Sequence, residues 1–202
     1  MLTPTQYLAI NVKLQAGEIV VGKNASKAAS ITSAAGQPIT LRFENCESPF
    51  GLSSWGDDAG KDRVSLDLRA SPIIETCVAS IDEAILAYVE ANASKYFPAS
   101  LTKDRIREYV RPTLKKHEEN KYPALIKTKL SKSRVKVWDT AKKLISADAI
   151  QPHCQVSVVL AVRAIYFQSK SWGVALECQH VMLAENSAEC PFECDAPAML
   201  GD

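Results

Sequence analysis

The last third of the chain limits the fold most. "QVSVVLAVRAIYFQ", residues 155–168, is a long run rich in β-branched residues. "SKSWG" (169–173) then turns the chain, and "VALECQHVMLA" (174–184) runs back. β-branched side chains fit a pleated, packed surface, so these runs read as strands. Shorter alternating runs precede them. In "PITLRFENC", Ile39, Leu41 and Phe43 share one face, and Thr40, Arg42 and Glu44 the other. In "RVSLDLRA", Val64, Leu66 and Leu68 point inward. "ALIKTKL" sets Ile126, Thr128 and Leu130 against Lys127 and Lys129, and "RVKVWD" sets Val135 and Val137 against Arg134, Lys136 and Trp138. Period-two alternation of this kind is the mark of half-buried strands. The spacer "SKS" between the last two predicts a hairpin over 125–138.

Between the early and late strands the period changes. Ile81, Ile85, Leu86 and Val89 recur at helical spacing and predict a helix over about 73–96, with this stripe in the core. Ser80 to Glu83 reads as a capping box, placing Asp82 and Glu83 at the positive end of the helix. Thr102 is placed to cap a second, short helix, "KDRIREYV", which should end before Pro112. Consecutive strands joined by short turns suit a small barrel better than a βαβ sheet. The expected class is mainly β with a helical insertion (β+α), five to six strands with one or two helices between the early and late ones. Residues 1–36, with "GKNASKAASITSAAGQP", read as a flexible N-terminal segment. Residues 37–184 read as the domain, with its helical insertion at about 73–111, and 185–202 as a tail.

Composition fits one soluble domain: 202 residues, 47% hydrophobic and 23% charged. No run approaches the roughly 20 apolar residues of a membrane span. The N-terminus lacks a basic stretch followed by an apolar one, so no secretory signal is expected. The six cysteines (46, 77, 154, 178, 190 and 194) are therefore expected as reduced thiols in a cytoplasmic or nuclear compartment.

Charge is unevenly placed. The chain has 24 Lys and Arg against 23 Asp and Glu. Residues 185–202 carry Glu185, Glu189, Glu193, Asp195 and Asp202 with no base, so residues 1–184 hold 24 bases and 18 acids, a net +6. Residues 121–143 alone hold eight bases and one acid, Asp139. Such asymmetry points to a polyanion-binding surface and an interaction tail. On the predicted strands Lys127, Lys129, Arg134, Lys136 and Trp138 share a solvent face, with Lys132 in the spacer. Cations there would track phosphates and release counterions, and the indole would stack a base. Arg42, Trp55, Arg63, Arg163, Tyr166, Lys170 and Trp172 are further candidates on other strands and turns. Alternating lysines also occur on solvated faces and edge strands, where they block aggregation.

The order of elements resembles the OB-fold single-stranded-DNA-binding proteins of T7-like phages and nucleocytoplasmic large DNA viruses. The likeness covers roughly residues 38–184. It lies in "ITLRFENCESPFGLSSW" with its Pro49-Phe50-Gly51 turn, "RVSLDL", "KYPALIKTKL" and "VRAIYFQSKSWGVALECQHVML". It implies an OB barrel with a helical insertion, a basic and aromatic DNA groove, and an acidic tail that competes with DNA and recruits replication proteins. The tail here departs from the pattern: two cysteines interrupt it, and it ends in Met-Leu-Gly-Asp rather than an aromatic. On this reading the protein is a stoichiometric, non-catalytic coat for single strands in viral replication, recombination or repair.

Other chemistries are less well supported. Cys178-x-His180 with Cys190-x-x-x-Cys194 offers four zinc ligands in principle, but 178 and 180 fall on one face of a predicted strand and no C-x-x-C knuckle exists. His117 and His153 sit near polar turns. Asp57 and Asp58 lie in a Gly-flanked turn, where acids are ordinarily solvated. No phosphate-loop, dinucleotide, nucleophile-elbow or zinc-protease motif is present. No enzyme activity, cofactor or metal is expected. The expected partners are single-stranded DNA, with RNA as the alternative, replication proteins at the tail, and a second copy of the chain; no membrane partner is expected. The competing functions are a viral structural or scaffold protein and a β-barrel interaction module with a basic face. Removing residues 185–202 should tighten nucleic-acid binding in an anisotropy titration; weaker binding by the truncated chain would count against a competing tail.

Overall fold

The computed structural model describes residues 1–10, 13–22, 27–54, 62–69, 71–116, 122–168 and 171–184. Five strands form its frame: β1 (Ile39–Ser48), β2 (Arg63–Arg69), β3 (Leu125–Ser131), β4 (Cys154–Gln168) and β5 (Ser171–Leu183). They pair in the order β1-β2-β3-β5-β4, and β4 pairs back onto β1, so the ring closes. All neighbours are antiparallel except β3 and β5. This is the five-stranded, partly open barrel of the OB type. The fold is mainly β with a helical insertion.

The ring is not uniform. β4 and β5 pair along twelve positions, and β2 and β3 along seven. β1 meets β2 only at Glu47 and Arg69, and β3 meets β5 only at Lys129 and Glu177. At the first junction the Arg69 guanidinium sits 3.1 Å from Glu47, and His153 Nδ1 lies 3.1 Å from the same carboxylate. Partial burial would raise the Glu47 carboxyl, but hydrogen bonds from His153 and Arg69 and their charges prevail and hold it below the usual value.

The inward residues are those the alternation identified. Leu41, Phe43, Leu66, Leu68, Ile126 and Leu130 are fully buried. The long helix α1 (Pro72–Ala91) lies between β2 and β3 and buries Ile74, Cys77, Val78, Ile81, Ile85 and Val89. It begins earlier than the proposed capping box. Ser71 is its N-cap and Pro72 its first residue, so Ser80, Asp82 and Glu83 lie in its interior. Proline tolerates the first turn because its missing N–H has no partner there in any case. Two short helices follow, Ala93–Tyr96 and Lys103–Glu108; Thr102 caps the latter, accepting from the Arg105 amide as expected. No helix of the described residues is long and apolar enough to cross a membrane. Cys46, Cys77, Cys154 and Cys178 are free and buried, and burial pushes the Cys46, Cys77 and Cys178 thiols up to about 12.

Two expectations are corrected here. Residues 1–36 are not loosely organised where described. They carry a helix, Pro4–Ile10, and strands Leu14–Ala16, Val20–Val21 and Lys27–Ser33. Lys27–Ser33 adds to the distal half of β4, and its small residues bury Ala29 and Ile31 against the core. The Tyr96 hydroxyl ties this layer down by donating to the carbonyls of Ala16 and Gly17. The hairpin over 125–138 does not form. β3 and Lys136–Trp138 both run parallel to β5, along the same edge of it. The chain therefore keeps its direction through the turn at 131–135, where the Ser131 carbonyl accepts from the Arg134 and Val135 amides.

Asp82 shows how the insertion is anchored. Its carboxylate accepts from the Thr113 amide and hydroxyl, each at 2.7 Å. Burial raises its pKa despite those hydrogen bonds and one from the Leu114 amide. The folded chain thus holds this proton more tightly than the unfolded chain. This group makes stability fall as pH rises from the ordinary carboxylate value through the raised one. Urea melts across the acid-to-neutral range should show that fall flattened in Asp82→Asn. Asp82→Ala should lose about 1–3 kcal/mol, because the buried Thr113 donors are left unpaired.

Candidate nucleic-acid interface

The outer face of the barrel is built in rows across the strands. One row runs Ser65, Lys129, Glu177, Ala161, Thr40 through β2, β3, β5, β4 and β1. Its centre is a carboxylate among cations. Arg134 Nη2 lies 3.3 Å from one Glu177 oxygen, and Arg163 Nε lies 2.7 Å from the other. Lys129, opposite Glu177, donates to Ser65 Oγ at 2.7 Å. Arg163 reaches this point because it is the extra residue of a β-bulge between Val162 and Ala164.

A second row runs Arg42, Val159, His180, Lys136. It depends on another irregularity. Leu160 pairs with Cys178 and Val159 with His180, so Gln179 is the extra residue. The bulge sends Cys178 into the core and His180 outward, which corrects the expectation that 178 and 180 share a face. His180 stacks on Trp138, with ring centroids 5.2 Å apart and planes at 25°. Burial first, and then the Lys136 charge, lowers the His180 pKa.

The proposed site residues separate into groups. Lys127, Lys129, Arg134 and Lys136 are exposed and follow the edge of β5, although the hairpin that was to hold them is absent. Lys127 lies opposite Asp67; burial raises the Asp67 carboxyl, and Lys127, Lys129 and Lys115 oppose that rise. Lys132 is engaged by Asp148 at 2.6 Å. Arg63 is exposed at the start of β2, and Arg42 pairs with Glu44. Trp138 is half-buried beside them.

Trp172 does not belong to the surface. It is 1% exposed, its indole N–H donates to the Ile106 carbonyl at 2.8 Å, and its ring packs on Phe97. A tryptophan so placed cannot stack a base. Tyr166 is half-buried, its hydroxyl against Gly173, and desolvation raises its pKa. Trp55, Lys170, Asp57, Asp58, His117, Cys190, Cys194 and the five tail acids lie outside the described residues. Sequence reasoning missed Glu177 and His180 as surface residues. Glu177 sits in a mostly apolar strand, and only the bulges reveal where it and His180 point.

A family model described as a family of unknown function (DUF5871) matches residues 56–193. No curated protein matches the sequence. Among solved structures, a single-stranded DNA-binding protein from bacteriophage Enc34 in complex with ssDNA is similar in fold, with a TM-score of 0.51 at 14% identity, covering 77% of this chain and 89% of that one. A second structure of the bacteriophage Enc34 single-stranded DNA-binding protein gives 0.47 at 14% identity, over 89% of this chain and 96% of that one. Its C-terminally truncated form gives 0.47 at 13%, over 85% and 94%. At these identities the likeness concerns the fold.

Glu177→Gln should free Arg134 and Arg163 from their ion pairs while keeping a side chain of the same size at the partly buried junction. The variant should elute from immobilised heparin at higher salt than the unaltered chain. Unchanged elution would show that this cluster does not meet polyanions.

Proposed function

The chain belongs to a family of unknown function (DUF5871), and from that premise we propose that it binds single-stranded DNA without catalysing a reaction. The observation that carries this reading is the line of Lys127, Lys129, Arg134, Lys136 and Arg163 on one outer face of the five-stranded barrel. A single strand needs neutralised phosphates and a surface for its bases. The face offers both: cations around Glu177 and a half-buried indole at Trp138.

Two further facts support it. The phage protein that shares the fold is a single-stranded DNA-binding protein solved with ssDNA. The motifs between residues 38 and 184 resemble the binders of T7-like phages and large DNA viruses. In the full proposal the protein coats and shields single strands during viral replication, recombination or repair. Its acidic tail (Glu185, Glu189, Glu193, Asp195 and Asp202) competes for the basic face and docks replication proteins.

The test is fluorescence anisotropy of a labelled oligo-dT of about 30 nucleotides, long enough for one or more sites, beside a duplex of equal length. Single-strand binding should be much tighter and salt-sensitive. Changing Lys127, Lys129, Arg134 and Lys136 together to alanine should flatten the log–log salt slope by about 0.7 for each phosphate no longer neutralised. An unchanged slope would remove these residues from the site. Equal, weak binding to both nucleic acids would favour a scaffold protein or an interaction module for an acidic partner.

A further inference from the structure

The second row opens into a groove that the basic line does not include. It has a volume of about 650 Å³ and lies over β1, β4 and β5 beside Trp138. Pockets that hold drug-sized ligands span roughly 300–1,000 Å³, so the space suits a nucleotide. Its floor is apolar, with Val159 half-buried and Met182 37% exposed. One wall is the Trp138–His180 stack. Arg42, which also pairs with Glu44, and Lys142 supply charge, and the described lining itself contains no carboxylate.

Three details set this groove apart from an ordinary surface depression. Burial and then the Lys136 charge lower the His180 pKa, which favours the uncharged ring in the aromatic wall. Lys142 is held at φ +60°, a backbone region costly for a side-chain-bearing residue, by the turn in which its amide donates to the Asp139 carbonyl. The groove is also continuous with the Glu177 cluster. On β1 and β4 the two rows are two residues apart, about 7 Å along a strand.

We infer that this groove is a nucleotide subsite for single-stranded DNA. One base lies against the Trp138 wall over Val159 and Met182, and Arg42 and Lys142 meet the adjoining phosphates. The inference rests on the single-strand-binding reading and extends it, carrying the strand off the basic line and across β5. A cationic rim around an apolar floor fits a base flanked by phosphates better than an acidic peptide, which would leave that floor uncovered.

The experiment uses the full chain with Trp55→Phe, so that Trp138 and the buried Trp172 are the remaining fluorophores. Oligo-dT should quench the emission. Adding Trp138→Ala should remove the quench and weaken binding by roughly fivefold or more, the range expected for one stacked base. Met182→Glu, at an exposed strand position, should weaken binding similarly by placing an acid in the groove, with circular dichroism unchanged. Binding that persists with the quench and affinity unmoved by both variants would overturn the subsite and leave the single-strand reading standing. Failure of the unaltered chain to bind oligo-dT would overturn both. Quenching by a poly-glutamate peptide with no displacement by oligo-dT would assign the groove to a protein partner and overturn the subsite.

Discussion

Strand β4 is the element on which the rest of the molecule depends. Over its fifteen residues it pairs with β5 on one edge, and on the other with β1 and then with Lys27–Ser33. A strand so long can serve three partners only by changing its course, and it does so at irregularities. Bulges at Arg163 and opposite Gln179 increase the local twist, and Asn45 of β1 takes a left-handed conformation where the pairing with β4 slips by one residue. These slips curl the sheet enough to bring β3 to β5 and β2 to β1.

Closure is achieved at narrow points. Each of those two junctions rests on one residue pair, and both pairs are charged: Glu47 with Arg69, and Lys129 opposite Glu177. The buried side of the barrel is filled by aliphatic residues and closed by α1, whose apolar stripe supplies six buried side chains. Hydrophobic burial thus holds the ring, and its edges meet at positions that charged residues occupy. Because one of these pairs is the centre of the basic cluster, the geometry that closes the barrel also orders the cations on its surface.

The electrostatics of the face follow from that arrangement. Glu177 binds a guanidinium with each oxygen, from two separate segments of chain, and so keeps Arg134 and Arg163 side by side despite their repulsion. Lys127 and Lys136 extend the positive line on either side. The His180 ring, whose pKa burial and Lys136 lower, belongs with Trp138 to the aromatic part of the surface.

Much of this was legible in the sequence because it depends on local period. The alternation of Ile39, Leu41 and Phe43, of Val64, Leu66 and Leu68, and of Ile126, Thr128 and Leu130 placed each face correctly, since successive strand side chains must point opposite ways. The helical spacing of Ile81, Ile85 and Val89 and the Thr102 cap were equally local. Pairing is not local. Nothing in "LIKTKLSKSRVKVW" says that its two strands share a neighbour instead of pairing with each other, because that choice depends on which backbone groups elsewhere lack partners. Trp172 looked like a stacking residue until Ile106 and Phe97 closed over it. Residues 27–33 looked loose because their small side chains give little amphipathic signal, yet the free edge of β4 ordered them. The sequence by itself determined which side chains of the regularly alternating strands face inward and how much charge the chain carries. Only the tertiary structure decided which charges meet, because one extra residue in a strand reverses every face beyond it.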